Sequence, residues 1–211
     1  MNESVSRVAV GDLSVEIWPN AEDIGREAAR RLKEALIRAV ELRGSARFIA
    51  ATGNSQFPLI SALGDHDIPW DKVDVFHMDE YLGLDQTASA SFRRWIRERI
   101  QDRFAPRSVD YIRGDAPDVD AEIARYEAAL RSAPVDVVCM GIGENGHLAF
   151  NEPNACDFND NRWVAQIELT PESRRQQVDE GHFADISAVP SSAIALTIPA
   201  LLSAESIIVS A

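Results

Sequence analysis

Val135-Asp136-Val137-Val138-Cys139-Met140 runs straight into Gly141-Ile142-Gly143-Glu144-Asn145-Gly146-His147, and this stretch decides the fold class. A short, almost continuous apolar run has the pattern of a strand covered on both faces, as in a parallel sheet flanked by helices. The three glycines that follow stop the strand and either free the backbone for an unusual turn or let a ligand approach closely. Working outward, the same alternation recurs. Arg47-Phe48-Ile49-Ala50-Ala51 is a compact apolar strand that ends in Thr52-Gly53-Asn54-Ser55, and Val73-Asp74-Val75-Phe76-His77-Met78 ends in Asp79-Glu80. Between such strands lie helical periodicities. Asn20 caps a helix whose stripe is Ile24, Ala28, Leu32, Leu36 and Val40, with Gly44 at its end. A second helix buries Phe92, Trp95, Ile96 and Ile100, and a third places Val119, Ile123, Tyr126 and Leu130 on one face. Residues 13–17, 163–169, 193–198 and 207–209 read as further strands, the last two apolar enough to be interior. The expected fold is α/β, a doubly wound, mostly parallel sheet with helices on both faces, in one domain spanning residues 1–211.

In such sheets ligands sit beyond the carboxyl ends of the strands. Three strand ends carry polar or glycine-rich sequence, and together they predict one site built from three loops. In Thr52-Gly53-Asn54-Ser55, small residues would let backbone N–H groups turn toward an anion; a plain strand-to-helix turn reads equally well. In Asp79-Glu80, two adjacent carboxylates close a buried strand. One could serve as a general base, or Asp79 could cap a turn while Glu80 faces solvent. In the third loop His147 follows the glycines and Glu152 lies five residues on, an arrangement suited to proton transfer near neutral pH; the alternative is a lone histidine packed in a loop. Gly141, Gly143 and Gly146 also satisfy the dinucleotide pattern GxGxxG, but no clear helix with an acidic residue about 20 positions on follows them. His66, His77 and His182 share no ligand spacing and HExxH and CxxC are absent, so a metal site has little support; the absence of GxSxG argues against an α/β-hydrolase.

Composition sets the outer bounds. With 211 residues, 45% hydrophobic and 26% charged, the chain has the make-up of a globular domain. A formal net charge of −13 repels nucleic acid and anionic membrane over most of the surface, while leaving room for a small anion held by backbone amides. The polar start Met1-Asn2-Glu3-Ser4, the lack of an apolar run of about 18 residues and the two isolated cysteines predict a reducing, cytoplasmic setting. Cys139 reads as a packed hydrophobe.

Three segments carry a family resemblance: Phe76-His77-Met78-Asp79-Glu80-Tyr81-Leu82-Gly83-Leu84, then Gly143-Glu144-Asn145-Gly146-His147-Leu148-Ala149-Phe150-Asn151-Glu152-Pro153, and Thr52-Gly53-Asn54-Ser55. In order and spacing they resemble glucosamine-6-phosphate deaminases. The resemblance implies a doubly wound α/β sandwich that converts glucosamine 6-phosphate and water to fructose 6-phosphate and ammonia without a metal or organic cofactor. It implies that Asp79 moves a proton between C2 and C1 of the opened sugar, that His147 opens the ring, and that Glu152 is its carboxylate partner. Asn145 falls where family members carry Asp or Asn, and Thr52, Gly53, Asn54 and Ser55 match the phosphate loop. The family's phosphate-binding Arg is not at its usual place, which aligns loosely with residues 179–182, so Arg174 or Arg175 is expected to replace it. The resemblance also places a helix with a phosphate-binding Lys, and a further strand, beyond residue 211; the chain is therefore expected to be short of one phosphate contact and part of its core cover. The partner is a small amino-sugar phosphate, with homo-oligomerisation left open. Two other functions compete. A 6-phosphogluconolactonase shares the fold, but typically carries Asp-Glu-Arg where this chain has Asp79-Glu80-Tyr81, and lacks Asn151-Glu152-Pro153. A sensor that keeps the pocket and has lost turnover is the third reading.

Overall fold

The computed structural model describes residues 6–11 and 13–211. A hairpin of β1 (Ser6–Val10) and β2 (Leu13–Ile17) comes first, followed by α1 (Ala21–Arg43), β3 (Ala46–Ala50), α2 (Phe57–Leu63), β4 (Val73–His77) and β5 (Asp79–Tyr81). Next come α3 (Phe92–Ile96), continued through a π-helical turn at Arg97–Gln101 into α4 (Asp102–Phe104), then β6 (Ser108–Asp110), α5 (Val119–Arg131) and β7 (Val137–Met140). The chain closes with β8 (Val164–Glu168), α6 (Pro171–Asp179), β9 (Ser192–Leu196), α7 (Ile198–Leu202) and β10 (Ser206–Val209).

Five strands form a parallel sheet in the order β10-β7-β3-β4-β6. Side chains of successive strand residues point to opposite faces, so each strand feeds two cores. Phe48, Val75, Val137 and Cys139 pack with Leu32, Leu36, Leu59, Leu63 and Ile96 of α1, α2 and α3. Ile49, Phe76, Val138 and Met140 pack on the other side with Tyr126 and Leu130 of α5, and with Val164, Ile194, Leu196 and Leu201. Helices on both faces of a parallel sheet are the arrangement the apolar runs predicted. Asn20 does cap α1, its side chain accepting from the Asp23 amide at 2.9 Å, and Gly44 ends it at φ +78°. Arg47, buried in β3, is satisfied by carbonyls at the end of α5, including Leu130 at 2.8 Å.

Three expectations need correction. Residues 13–17 are a strand, but outside the main sheet: β2 pairs antiparallel with β1. Its apolar side chains Leu13, Val15 and Ile17 are exposed, while Glu16 turns inward to Arg31 of α1 at 2.6 Å. Residues 193–196 belong to a separate antiparallel sheet, β5-β9-β8, and Ile198 already starts α7. β10 lies at the end of the five-strand order with Ile207 and Val209 exposed, so it is not interior. The expectation about a tail beyond residue 211 lies outside the described residues. Among these, no helix is long and apolar enough to cross a membrane.

Candidate active site

β3 is flanked by β7 and β4, and register places Ala50 beside both Cys139 and His77. All three strands therefore end at one edge, and the segments that leave them must meet there. They line a cavity of about 270 Å³ with Thr52, Gly53, Asn54 and Ser55 from the first, Met78 and Asp79 from the second, and Gly141, Ile142, Gly143, Glu144 and His147 from the third. The three loops expected to converge do meet around one cavity. A fourth wall comes from α6 and the turn after it, through Gln176, Gln177, Glu180 and His182.

The sequence at Asp79-Glu80 sorts itself by alternation along β5. Glu80, fully buried on one side, accepts from the Ser91 hydroxyl at 2.8 Å and from the amides of Phe92 and Arg93 at 3.2 and 2.9 Å, and so caps α3. It does not face solvent. Asp79 points the other way, into the cavity, and is 7% exposed. Its carboxyl hydrogen-bonds no described residue, and burial together with the neighbouring Glu80 charge pushes it up to about 8. The backbone beneath it is pinned by His77, whose Nδ1–H donates to the Asp79 carbonyl at 2.9 Å while Nε2 accepts from the Ile112 amide at 2.9 Å. Both ring nitrogens are thereby used, and burial drives this imidazole down to about 3, so His77 is a neutral structural group.

His147 is held differently. The loop closes on itself through Gly143 N–H to the His147 carbonyl at 2.9 Å, and Gly146 makes the turn at φ +91°. A Cβ at Gly143 would fall on the His147 ring, so only glycine fits there. Ala149 also sits at positive φ, +52°, next to the buried Asn151, whose side-chain amide donates to the carbonyls of Leu148 and Leu196 at 2.9 and 2.7 Å. Glu152 does not touch His147 directly; Asn145 stands between them. A carboxylate only accepts, so the Asn145 amide nitrogen faces Glu152, at 2.6 Å. Asn145 Oδ1 then faces His147, accepting from its backbone amide at 3.1 Å and from Nδ1 at 2.8 Å. That arrangement places the proton on Nδ1 and leaves Nε2 as a free acceptor. Burial lowers the His147 pKa, against Glu152 and Glu180, which raise it. Glu152 in turn is fixed by the start of α6, accepting from Thr170 at 3.1 Å and from Ser173. Burial would raise its carboxyl, but the bonds from Ser173, Asn145 and Thr170 outweigh that and hold it below the usual range.

In the residue 52–55 loop, the amides of Gly53, Asn54 and Ser55 donate to no described residue, and they sit in the cavity wall with the Thr52 and Ser55 side chains. A Cβ at Gly141 would come within 2.7 Å of Ser55 Oγ, so the first and third loops touch. The arginines are elsewhere. Arg174 donates to the carbonyls of Ile186 and Val189 at 2.6 and 2.9 Å and does not line the cavity. Arg175 lines a neighbouring cleft of about 300 Å³ with Glu144, Asn145, Glu172, Gln176 and Asp179. Neither reaches the cavity, because the helix turns its 174–175 edge away and presents 176, 177 and 180. The described lining holds Asp79, Glu144 and Glu180 but no lysine or arginine. His182 pairs with Glu180 at 3.3 Å. Sequence reasoning points to Arg174 and Arg175 on this helix and misses Gln176 and Gln177. No stripe in the sequence marks the inward face, which the structure shows by burying Ser173 and Gln177, four residues apart.

Residues 19–211 match the family model of glucosamine-6-phosphate isomerases and 6-phosphogluconolactonases. The chain belongs to this family. A glucosamine-6-phosphate deaminase of an Exiguobacterium species is 30% identical over 198 residues, covering 93% of this chain and 74% of that protein. The one from Streptococcus pneumoniae serotype 4 is 31% identical over 184 residues, covering 87% and 75%. Among solved structures, a monomeric glucosamine-6-phosphate deaminase superposes with a TM-score of 0.80 at 25% identity, covering 90% of this chain and 78% of the other. A 6-phosphogluconolactonase from Shewanella baltica has a TM-score of 0.71 at 20% identity, with coverages of 91% and 78%, and shares the fold.

Proposed function

We propose that this chain converts glucosamine 6-phosphate and water to fructose 6-phosphate and ammonia. The observation that carries the reading is Asp79: a carboxyl buried without a hydrogen-bond partner and raised to about 8, in one cavity with a His147 whose Nε2 is free. A group tuned that far up is a competent base for a carbon-bound proton. The sugar's C2 proton is acidic only after the ring opens and C1 becomes an aldehyde, so two proton-transfer groups are needed at different parts of the sugar. His147 Nε2 takes the C1 hydroxyl proton and returns it to the ring oxygen, while Asn145 passes the stabilising charge of Glu152 to the imidazolium. Asp79 then moves the C2 proton to C1, and the amine gives up a proton to O1. This leaves an imine at C2, which water converts to the ketone with loss of ammonia. The free amides and hydroxyls of residues 52–55 hold the phosphate. Two free cysteines, one of them sealed in β7, fit the reducing cytoplasm in which such a metabolite occurs.

The lactonase reading has less support. Tyr81 and Asn151-Glu152-Pro153 match the deaminase pattern, and the deaminase relatives are 30–31% identical where the Shewanella lactonase is 20%. The deciding assay is ammonia release from a panel of amino-sugar 6-phosphates, with 6-phosphogluconolactone as control. Ammonia from glucosamine 6-phosphate and no lactone turnover is the expected result. Lactone hydrolysis without ammonia release overturns the reading, and binding without any turnover indicates a sensor.

A further inference from the structure

The wall contributed by α6 contains a donor that the proton transfers described above leave unused. Tyr81 is fully buried among Phe92, Phe150 and Phe183, with ring centroids at 5.0, 5.4 and 5.3 Å. A buried phenol needs a partner, and its hydroxyl donates to Gln177 Oε1 at 2.6 Å. Burial raises the Tyr81 pKa, so the phenol stays protonated and keeps donating. That bond fixes the Gln177 carboxamide with its oxygen toward Tyr81. The two N–H groups on the other side donate to no described residue, although Gln177 is only 7% exposed and lines the cavity. The cavity wall thereby carries a fixed donor that is free to meet a ligand.

The fold also places it in the cavity that Asp79 enters. Residues two apart on a strand share a face, so Asp79 and Tyr81 point to the same side of β5. The partners directly opposite on β9 are Ala195 and Ala193, which take up little of the space. The Gln177 amide, fixed to Tyr81, and the Asp79 carboxyl thus line one cavity.

We propose that Gln177 is a catalytic residue whose carboxamide N–H donates to O1 of the open-chain sugar during enolisation. The inference rests on Asp79 being the base. As Asp79 takes the C2 proton, the C2–H electron pair becomes the C1–C2 double bond, and the carbonyl pair moves onto O1. An N–H aimed at that oxygen stabilises the charge where it develops. The neutrality of the amide matters as much as its donor. Lysine or arginine in its place would stabilise ionised Asp79 and weaken it as a base, whereas a carboxamide leaves the raised carboxyl alone.

Gln177→Glu keeps the shape and the bond from Tyr81 but removes both the donor and the neutrality of the group. C2 proton exchange with solvent, followed by NMR, should fall roughly 10²–10³-fold in kcat with KM within about threefold. Tyr81→Phe leaves Gln177 in place but unaimed, and should give a smaller loss of about tenfold. Thermal melts of both variants set the folded fraction. Exchange by Gln177→Glu within threefold of wild type overturns the proposal, as does a loss that disappears once rates are expressed per folded molecule. If the wild-type protein exchanges no C2 proton from any amino-sugar phosphate, the deaminase reading itself fails and Gln177 loses its role with it.

Discussion

Asp79→Asn should make the protein more stable while removing its activity, and the gain should depend on pH in a stated direction. The folded carboxyl is raised from 3.8 to about 8. Between those values the native state retains a proton that the unfolded chain has released, so stability falls as pH rises through this window. Each pKa unit is worth about 1.4 kcal/mol, which puts the penalty at nearly zero at pH 4 and at up to about 4 kcal/mol at pH 7. Asparagine has the neutral shape of the protonated acid and escapes the penalty. For a chain of this size about 2–4 °C in Tm accompanies each kcal/mol. Asp79→Asn should thus melt level with wild type at pH 4 and roughly 10 °C above it at pH 7–8. In the same samples C2 proton exchange should drop by about 10²–10⁴, the usual cost of a lost general base. Calorimetry across pH 4–8 checks the first part. Parallel melting profiles for the two proteins would refute the idea that Asp79 is held as a strained base, and near-normal exchange would refute its role.

Three other outcomes follow from the same geometry. His147→Gln should slow reaction of the cyclic sugar far more than that of an open-chain analogue; equal losses on both, by kcat/KM, would place His147 outside ring opening. Ser173→Ala removes a donor that keeps the Glu152 carboxyl low, so the acid limb of the kcat/KM profile for the cyclic sugar should move to higher pH, and an unmoved limb would separate Glu152 from the His147 relay. Arg174→Ala should cost roughly 2 kcal/mol of stability by releasing the carbonyls of Ile186 and Val189, yet leave KM for the phosphorylated sugar within twofold. A large rise in KM at unchanged Tm would return Arg174 to the phosphate.

Much of this protein is written in patterns that a sequence carries locally. Val135-Asp136-Val137-Val138-Cys139-Met140 can satisfy its apolar residues only by burial on both faces, and the four-residue stripe of α1 can face only a core. From alternating strands and helices the parallel sheet follows, and from the parallel sheet the meeting of residues 52–55, Asp79 and residues 141–147 at one edge. Local chemistry is likewise legible at Gly143-Glu144-Asn145-Gly146-His147, where small residues surround a proton carrier.

What the sequence could not assign were relations between segments far apart in the chain. Whether Glu80 faces water depends on the amides of Phe92 and Arg93 lying beneath it, and those arrive from the next helix. The direction in which α6 turns Arg174 and Gln177 is set by packing against Tyr81 and the residue 186–189 turn, because a helix with so few apolar residues carries no stripe to orient it. The hairpin inverts the usual rule, its apolar residues outward, because Arg31 of α1 draws Glu16 inward. Asn145 stands between His147 and Glu152 because Ser173 and Thr170 hold Glu152 against the start of α6. Periodicity specifies which face of an element is apolar; the neighbour each polar side chain meets is fixed only when the elements pack, and here that packing turned Asp79, His147 and Gln177 into one cavity.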